Sequence, residues 1–182
     1  YILLLDDLQT VFTRSQLVRD GAKRFVQQYL GANDLAAVVY TSGRQDAGQE
    51  LTGSHRLLLA AIDRFQGQKL PSAGTEKLAV HLREVGNNEA LADEPQPIRT
   101  NEGLQNARLT RDPLDAERGL RARRVLDAVE NVAKWLAEVQ GRRKALLFFS
   151  EGLDYNIYEP FNRGVGDSLV QDAQQAIAAA QR

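Results

Sequence analysis

Carboxylate and hydroxyl side chains directly follow two apolar segments of the chain. Four apolar residues lead into Asp6 and Asp7, and Thr10 comes three residues later. A second apolar segment, late in the chain, leads into Ser150 and Glu151. Oxygen atoms of carboxylates and hydroxyls are the ligands that Mg²⁺ and Mn²⁺ prefer. These residues therefore predict a cation site if the two segments lie side by side.

The two apolar segments have the length and composition of strands buried on both faces, as in the parallel sheets of α/β proteins. We predict strands at residues 2–6, 35–40 and 144–149, with the first strand between the other two. Ligands of such sheets bind at the carboxyl ends of the strands. The acids and hydroxyls, together with Ser42 after the second strand, are therefore expected at one edge of the sheet.

Helical periodicity appears between the predicted strands. In a long segment after residue 112, valine and leucine repeat at alternating steps of four and three residues. That spacing indicates one apolar helix face, so we expect Val129, Val132 and Leu136 to be buried against the sheet. We predict helices at residues 16–30, 55–66, 113–140 and 167–181, a further helix at about 75–85, and a short edge strand at 49–52.

The composition is that of a globular domain and excludes several classes of function. The chain has 182 residues, a net charge of −1 and no cysteine. A nearly neutral chain has no overall field that would attract nucleic acid, and no apolar stretch approaches the roughly 20 residues of a membrane span. The absence of cysteine excludes disulfides, thiolate catalysis and cysteine zinc sites. We predict a single domain over residues 1–182, with a long irregular insertion at about 67–112 and with more chain at both ends in the intact protein.

The order of these elements resembles that of the von Willebrand factor A-type (VWA) domain and, more narrowly, a bacterial VWA-related family. The resemblance rests on Asp-x-x-x-Thr after the first strand, on Ser-Glu-Gly after the last strand, and on residues 5–10, 33–39, 56–62 and 141–152. It implies a Rossmann-like three-layer α/β/α fold, with a mostly parallel central sheet and a short antiparallel edge strand.

The resemblance also implies a degenerate metal-ion-dependent adhesion site. Asp6 takes the place of the first aspartate of the family's Asp-x-Ser-x-Ser loop, and Thr10 takes the place of its last hydroxyl. Leu8 replaces the middle serine, Glu151 replaces an aspartate of a later loop, and the family's threonine falls near Arg123. We therefore expect either no cofactor, or Mg²⁺ or Mn²⁺ weakly bound by Asp6, Thr10 and Glu151.

The function implied by the resemblance is that of a non-catalytic protein–protein interaction or adhesion module. Its partner would be a protein, its location extracytoplasmic, and it would neither bind nucleic acid nor insert this segment into a membrane. No residue is assigned a catalytic role. The predicted partner-binding rim consists of Asp6, Asp7, Thr10, Ser42, Ser150 and Glu151.

Two other interpretations stay open. The first is structural: Asp6 and Asp7 hydrogen-bond loop amides or cap the following turn. The second is a phosphotransfer enzyme that uses Asp6 as a metal ligand or nucleophile. Haloacid dehalogenase-type enzymes carry Asp-x-Asp-x-Thr at this point, but Leu8 occupies the position of their acid–base carboxylate. Response-regulator receivers also begin with paired acids, but their lysine and acceptor aspartate have no clear counterparts here. No glycine-rich phosphate loop or His-Glu-x-x-His motif is present.

Overall fold

A computed structural model describes residues 1–70, 113–141, 143–153 and 163–180. The helix predicted at 75–85 and nearly all of the insertion predicted at 67–112 lie outside these ranges. The chain divides into two compact units, Tyr1–Leu70 with Gly119–Arg182, and Pro71–Arg118. In the second unit only the helical residues 113–118 are described, so the sheet and its core belong to the first unit. The prediction of one domain with an insertion stays a prediction.

The described residues of the first unit form one open sheet of four strands, in the order β3-β2-β1-β4. Strand β1 pairs in parallel with β2 and with β4, whereas β2 and β3 are antiparallel. The predictions that the first strand lies between the other two long strands, and that residues 49–52 form an edge strand, are therefore confirmed. The strands are β1 Ile2–Leu5, β2 Ala36–Tyr40, β3 Gln49–Thr52 and β4 Leu146–Phe149.

In the described residues, four α-helices and one short 3₁₀ turn accompany the sheet. The four long helices predicted from the sequence are all present, with ends shifted by a few residues. The second helix ends early because the amides of Arg64 and Phe65 bond carbonyls three residues back, as in a tightened last turn. The elements are the 3₁₀ turn Phe12–Arg14, α1 Ser15–Gln28, α2 His55–Asp63, α3 Pro113–Glu138 and α4 Arg163–Ala180. None of the described helices combines the length and apolar character needed to cross a membrane.

One face of the sheet carries the main hydrophobic core. Leu3 and Leu5 point to this face, because side chains alternate along a strand, and they pack with Ala22 and Val26 of α1. Helix α2 adds Leu58, Ala61 and Ile62 to the same cluster. The buried Tyr40 hydroxyl donates to the Ala61 carbonyl at 2.7 Å, which joins the end of β2 to α2.

The opposite face is only partly covered by α3. Side chains of Ile2 and Val39 line a cavity of about 860 Å³ together with Val132 and Trp135 of α3. Trp135 is accordingly 43% exposed. The expectation that Val129, Val132 and Leu136 are buried is therefore wrong in degree: all three are half-buried. The buried positions of α3 lie mainly nearer its start and include Ala122, Val125 and Leu126.

Because the two faces of the sheet are covered to different degrees, truncating a side chain on each face should lower the free energy of unfolding by different amounts. Leu58→Ala should lower the free energy of unfolding by about 2–5 kcal/mol, because Leu58 is fully buried and its loss leaves a cavity. Leu136→Ala should cost clearly less, since a half-buried side chain leaves less void. Urea unfolding followed by circular dichroism measures both. Equal costs would mean that α3 packs more tightly on the sheet than the half-burial of Leu136 indicates.

Candidate functional site

Polar side chains from the ends of β1, β2 and β4 meet at one edge of the sheet. Leu5 pairs with Tyr40 and with Phe149, so the three strands end at the same level. We call this edge the rim, and it comprises the six predicted residues Asp6, Asp7, Thr10, Ser42, Ser150 and Glu151, with Thr41 added. Within it, Asp6, Asp7 and Thr10 have no exposed surface, whereas Ser42, Ser150 and Glu151 are partly exposed.

The Asp6 carboxylate bonds groups on both neighbouring strands. Its Oδ1 accepts from the Thr41 hydroxyl at 2.8 Å and from the Gln9 amide at 3.1 Å. Its Oδ2 accepts from the Ser150 hydroxyl at 2.5 Å. Thr41 follows β2 and Ser150 follows β4, so one buried carboxylate joins the ends of three strands.

The Asp7 carboxylate holds the loop after β2. Its Oδ1 accepts from the Ser42 amide at 3.0 Å, and its Oδ2 accepts from the Ser42 hydroxyl at 2.5 Å. The Thr41 hydroxyl also lies 3.1 Å from Asp7 Oδ1. Both aspartates therefore make the loop hydrogen bonds that the structural interpretation of the sequence anticipates.

Glycines end two of the rim loops. Gly43 follows Ser42 with φ +76°, and Gly152 follows Glu151 with φ +88°. Side-chain-bearing residues rarely adopt this left-handed conformation, so glycine lets the chain turn away from the rim there. The Gly152 amide also donates to the Ser150 hydroxyl at 3.0 Å, which orients that hydroxyl toward Asp6.

The two buried aspartates share a single hydroxyl. A threonine hydroxyl has one hydrogen, so Thr41 donates to only one of the two carboxylates at a time. The pKa of Asp6 is raised, chiefly because burial disfavours its charged form. Hydrogen bonds from Ser150, Thr41 and the Gln9 amide oppose this shift, and the charge of Asp7 adds to it.

Thr10 and Glu151 complete the predicted cation ligands and are the least satisfied groups of the rim. Thr10 Oγ1 and Glu151 Oε1 are both buried and have no hydrogen-bond partner among the described residues. Arg14 forms an ion pair with Glu151, with its Nε 3.7 Å from Glu151 Oε1. The side chain of Arg14 is mostly exposed, so this ion pair is a weak one.

The oxygen atoms of Asp6, Thr10 and Glu151 fit a small hard cation in type. In the part of the chain that the structure describes, Thr10 Oγ1 and Glu151 Oε1 have no hydrogen-bond partner and Asp6 Oδ2 accepts one bond, so each has a lone pair to offer. Leu8, in the position of a family ligand, is buried and apolar and offers none. Among the described residues, no group of three or more His, Cys, Asp or Glu side chains is arranged to hold a metal. Any cation would therefore depend on hydroxyls and water.

Arg123, the residue nearest the family's second-loop threonine, lies within α3 and bonds α4. Its guanidinium donates to the Ser168 hydroxyl at 2.5 Å and lies 4.0 Å from a carboxylate oxygen of Asp172. Its described contacts are thus made between two helices. The arginine that contacts a predicted rim residue is Arg14, through its ion pair with Glu151.

Two rim contacts were not foreseen from the sequence. Thr41 stands next to the predicted Ser42, and its position directly after a strand was a usable signal. Arg14 had no such signal, because a lone arginine in a turn has many alternative orientations.

Comparisons with protein-family models, with curated proteins and with solved structures found no match for this chain.

The raised pKa of Asp6 predicts a pH dependence of stability. A carboxyl whose pKa is higher in the folded protein stabilises the fold most below its ordinary value of 3.8, and this contribution falls as the pH rises through the raised pKa. Asp6→Asn does not titrate. The variant should therefore gain stability relative to the parent protein as the pH rises toward neutrality, in urea unfolding at several pH values.

Asp46→Asn is a matched control, for which the expected change of stability with pH has the opposite sign. The hydrogen bond from Arg44 lowers the pKa of the exposed Asp46 carboxyl. That variant should lose relative stability as the pH rises, by a small amount because the pair is exposed. An Asp6→Asn curve with the same slope as the Asp46→Asn curve would show that the charged form of Asp6 is the stabilised one.

Proposed function

We propose that the chain is a VWA-like domain of Rossmann-like three-layer α/β/α architecture that acts as a non-catalytic protein-binding or adhesion module. Its partner docks on the rim. The observation that carries the proposal is the convergence of three strand ends on one polar edge, with Asp6 joined to both Thr41 and Ser150. Parallel α/β sheets bind their ligands at this edge. The proposed location is extracytoplasmic, on the family resemblance alone.

The rim divides into a buried layer and an accessible layer. Asp6, Asp7 and Thr10 are enclosed, so a partner does not reach them while the loops keep this conformation. Their role in binding is to hold the loops in shape. The accessible layer consists of the partly exposed Ser42, Ser150 and Glu151 and of apolar neighbours, among them Phe12 at 67% and Leu153 at 41% exposure.

Exposed apolar side chains beside polar loops are typical of interaction surfaces. Phe12 lies in the 3₁₀ turn after the first rim loop, and Leu153 lies two residues after Glu151. Aromatic residues and arginine are enriched among the side chains that dominate binding energy, and Arg14 belongs to the same 3₁₀ turn as Phe12. The accessible rim therefore offers an apolar anchor and an ion pair to a protein partner.

The enzyme alternative fits the described residues less well than the binding module does. Phosphotransfer through Asp6 needs access to its carboxylate and an acid–base partner. Asp6 has no exposed surface, and the apolar Leu8 occupies the position of that partner. An absence of turnover with general phosphoester substrates, in the presence of Mg²⁺ or Mn²⁺, is the expected result. Turnover that is lost in Asp6→Asn would replace the binding proposal with the enzyme.

The proposed metal site is degenerate, with Asp6, Thr10 and Glu151 as the groups that would hold an ion. When bound, the ion would offer an open coordination position to a carboxylate of the partner, as the family resemblance implies. Arg14 competes for Glu151 and adds a positive charge beside the site, which lowers cation affinity.

Calorimetric titration with Mg²⁺ and Mn²⁺ tests the metal site. We expect a dissociation constant of about 10⁻⁴ M or weaker, at the weak end of protein cation sites. Any binding should disappear in Asp6→Ala, because Asp6 contributes the central carboxylate. Binding that survives Asp6→Ala would place the ion elsewhere in the protein. Micromolar binding that Asp6→Ala abolishes would show that the site is intact rather than degenerate.

Partner binding tests the rim itself. A partner captured by the full-length protein from its source cells is purified, and its dissociation constant is measured with rim variants. Leu153→Arg and Ser42→Arg should weaken binding about tenfold or more, since each puts a bulky charge at the centre of the contact.

Leu57→Arg is the matched control for these rim variants. Leu57 lies on α2 and is 40% exposed, close to the exposure of Leu153, but it is outside the rim. Its substitution should leave the dissociation constant within about twofold of the parent value. A partner that is lost with Leu57→Arg and kept with both rim variants would move the binding surface to α2.

A further inference from the structure

Residues 65–69, which follow α2, run against the first rim loop. We call them the strap. The Gln68 amide donates to the Asp7 carbonyl at 2.6 Å, and the Lys69 amide donates to the Thr10 carbonyl at 3.0 Å. Two carbonyl groups of the loop that carries the rim acids are thus satisfied by backbone amides of the strap. The loop and the strap form one hydrogen-bonded unit.

The strap is itself held by side chains from two helices. The buried Gly67 amide donates to the Ser15 hydroxyl at 2.9 Å. Arg19 of α1 donates to the Phe65 carbonyl at 3.0 Å, and Arg121 of α3 donates to the Gln68 carbonyl at 2.5 Å. The position of the strap is therefore determined by the body of the domain as well as by the rim loop.

Gly67 lets the strap approach the loop closely. A Cβ atom at this position would lie 2.2 Å from the Thr10 carbonyl oxygen and 3.0 Å from the Val11 carbonyl oxygen. These neighbours are backbone atoms, which do not rotate away as a flexible side chain does. Any larger residue at position 67 must push the strap and the rim loop apart.

We propose that the strap is a positioning element of the rim and that Gly67 is the residue its close approach requires. The strap holds the backbone of residues 6–10, and this backbone places the Asp6 and Asp7 carboxylates between Thr41, Ser42 and Ser150. Gly67 is buried and is not expected to contact the protein partner itself. It acts on binding through the loop, so its consequence for partner affinity rests on the proposed function of the rim.

The test compares local opening with global unfolding by amide hydrogen exchange in the Gly67→Ala variant. The Gln9 amide bonds Asp6, and the Ser42 amide bonds Asp7, so both report on the carboxylates rather than on the strap. The Ile2 and Ala37 amides, at the opposite end of the sheet, are the references. We expect exchange at Gln9 and Ser42 to accelerate about tenfold or more, with the references within about twofold.

A uniform acceleration of all four amides would overturn the proposal, because it would show only a loss of global stability. Unchanged exchange at Gln9 and Ser42 would overturn it as well. Gly53→Ala is the matched control, since a Cβ there meets only ordinary contacts, the nearest at 3.6 Å. Ser15→Ala removes the acceptor of the Gly67 amide without a clash. It should give a smaller change of the same pattern, and it keeps the proposal testable if Gly67→Ala fails to fold.

The exchange measurement needs no partner, so it separates this proposal from the proposed function. A rim that binds nothing would leave the exchange result standing and would refute only the binding role. With a rim partner in hand, Gly67→Ala should weaken binding several-fold while Gly53→Ala does not. A loosened loop that binds the partner with unchanged affinity would refute the strap's role in binding.

Discussion

The hydrogen bonds of the buried Asp6 carboxylate are the interactions on which the arrangement of the rim depends. An ionisable group without exposed surface is costly unless hydrogen bonds compensate it. Here the compensating donors come from the ends of both neighbouring strands, through Thr41 and Ser150, and from the Gln9 amide of its own loop. Backbone pairing aligns the strands, and this carboxylate aligns their carboxyl-terminal loops. The loops after β1, β2 and β4 are consequently parts of one polar cluster rather than three independent turns.

The burial of Asp6 means that different residues of the rim have different tasks: some fix the shape of the loops, and others are exposed to a partner. The enclosed acids and Thr41 have almost no exposed surface, so they would act on a partner through the loops whose shape they maintain. The strap adds to this support, because its Gln68 and Lys69 amides donate to the Asp7 and Thr10 carbonyls of the first rim loop. Ser42 and Glu151 are partly exposed and Phe12 is exposed, so these side chains meet solvent. A rigid support beneath exposed loops is suited to binding, since less conformational entropy is lost when a partner docks.

The same geometry weighs against the chemistry that paired aspartates first suggest. A nucleophile or general base needs an open path to its substrate, and Asp6 has none in this conformation. Thr10 Oγ1 and Glu151 Oε1 are buried without a hydrogen-bond partner among the described residues, which suits them to a cation, and the guanidinium of Arg14 lies beside Glu151. In the proposed metal site, Arg14 and a bound cation would compete for Glu151, which would lower the affinity for the cation.

By itself, the sequence determined the strands, the four long helices and the edge of the sheet at which the acids lie. Long apolar runs and helical periodicity are local signals, and the chain direction alone puts Asp6, Ser42 and Ser150 at the carboxyl ends of parallel strands. Only the tertiary structure decided which hydroxyl each carboxylate receives, that Arg14 faces Glu151, and that the strap closes on Thr10. It also decided the half-burial of Leu136, because periodicity identifies an apolar face but not how much of it a neighbour covers. These features depend on contacts between residues far apart in the chain, and their distances are set by packing that no local pattern encodes.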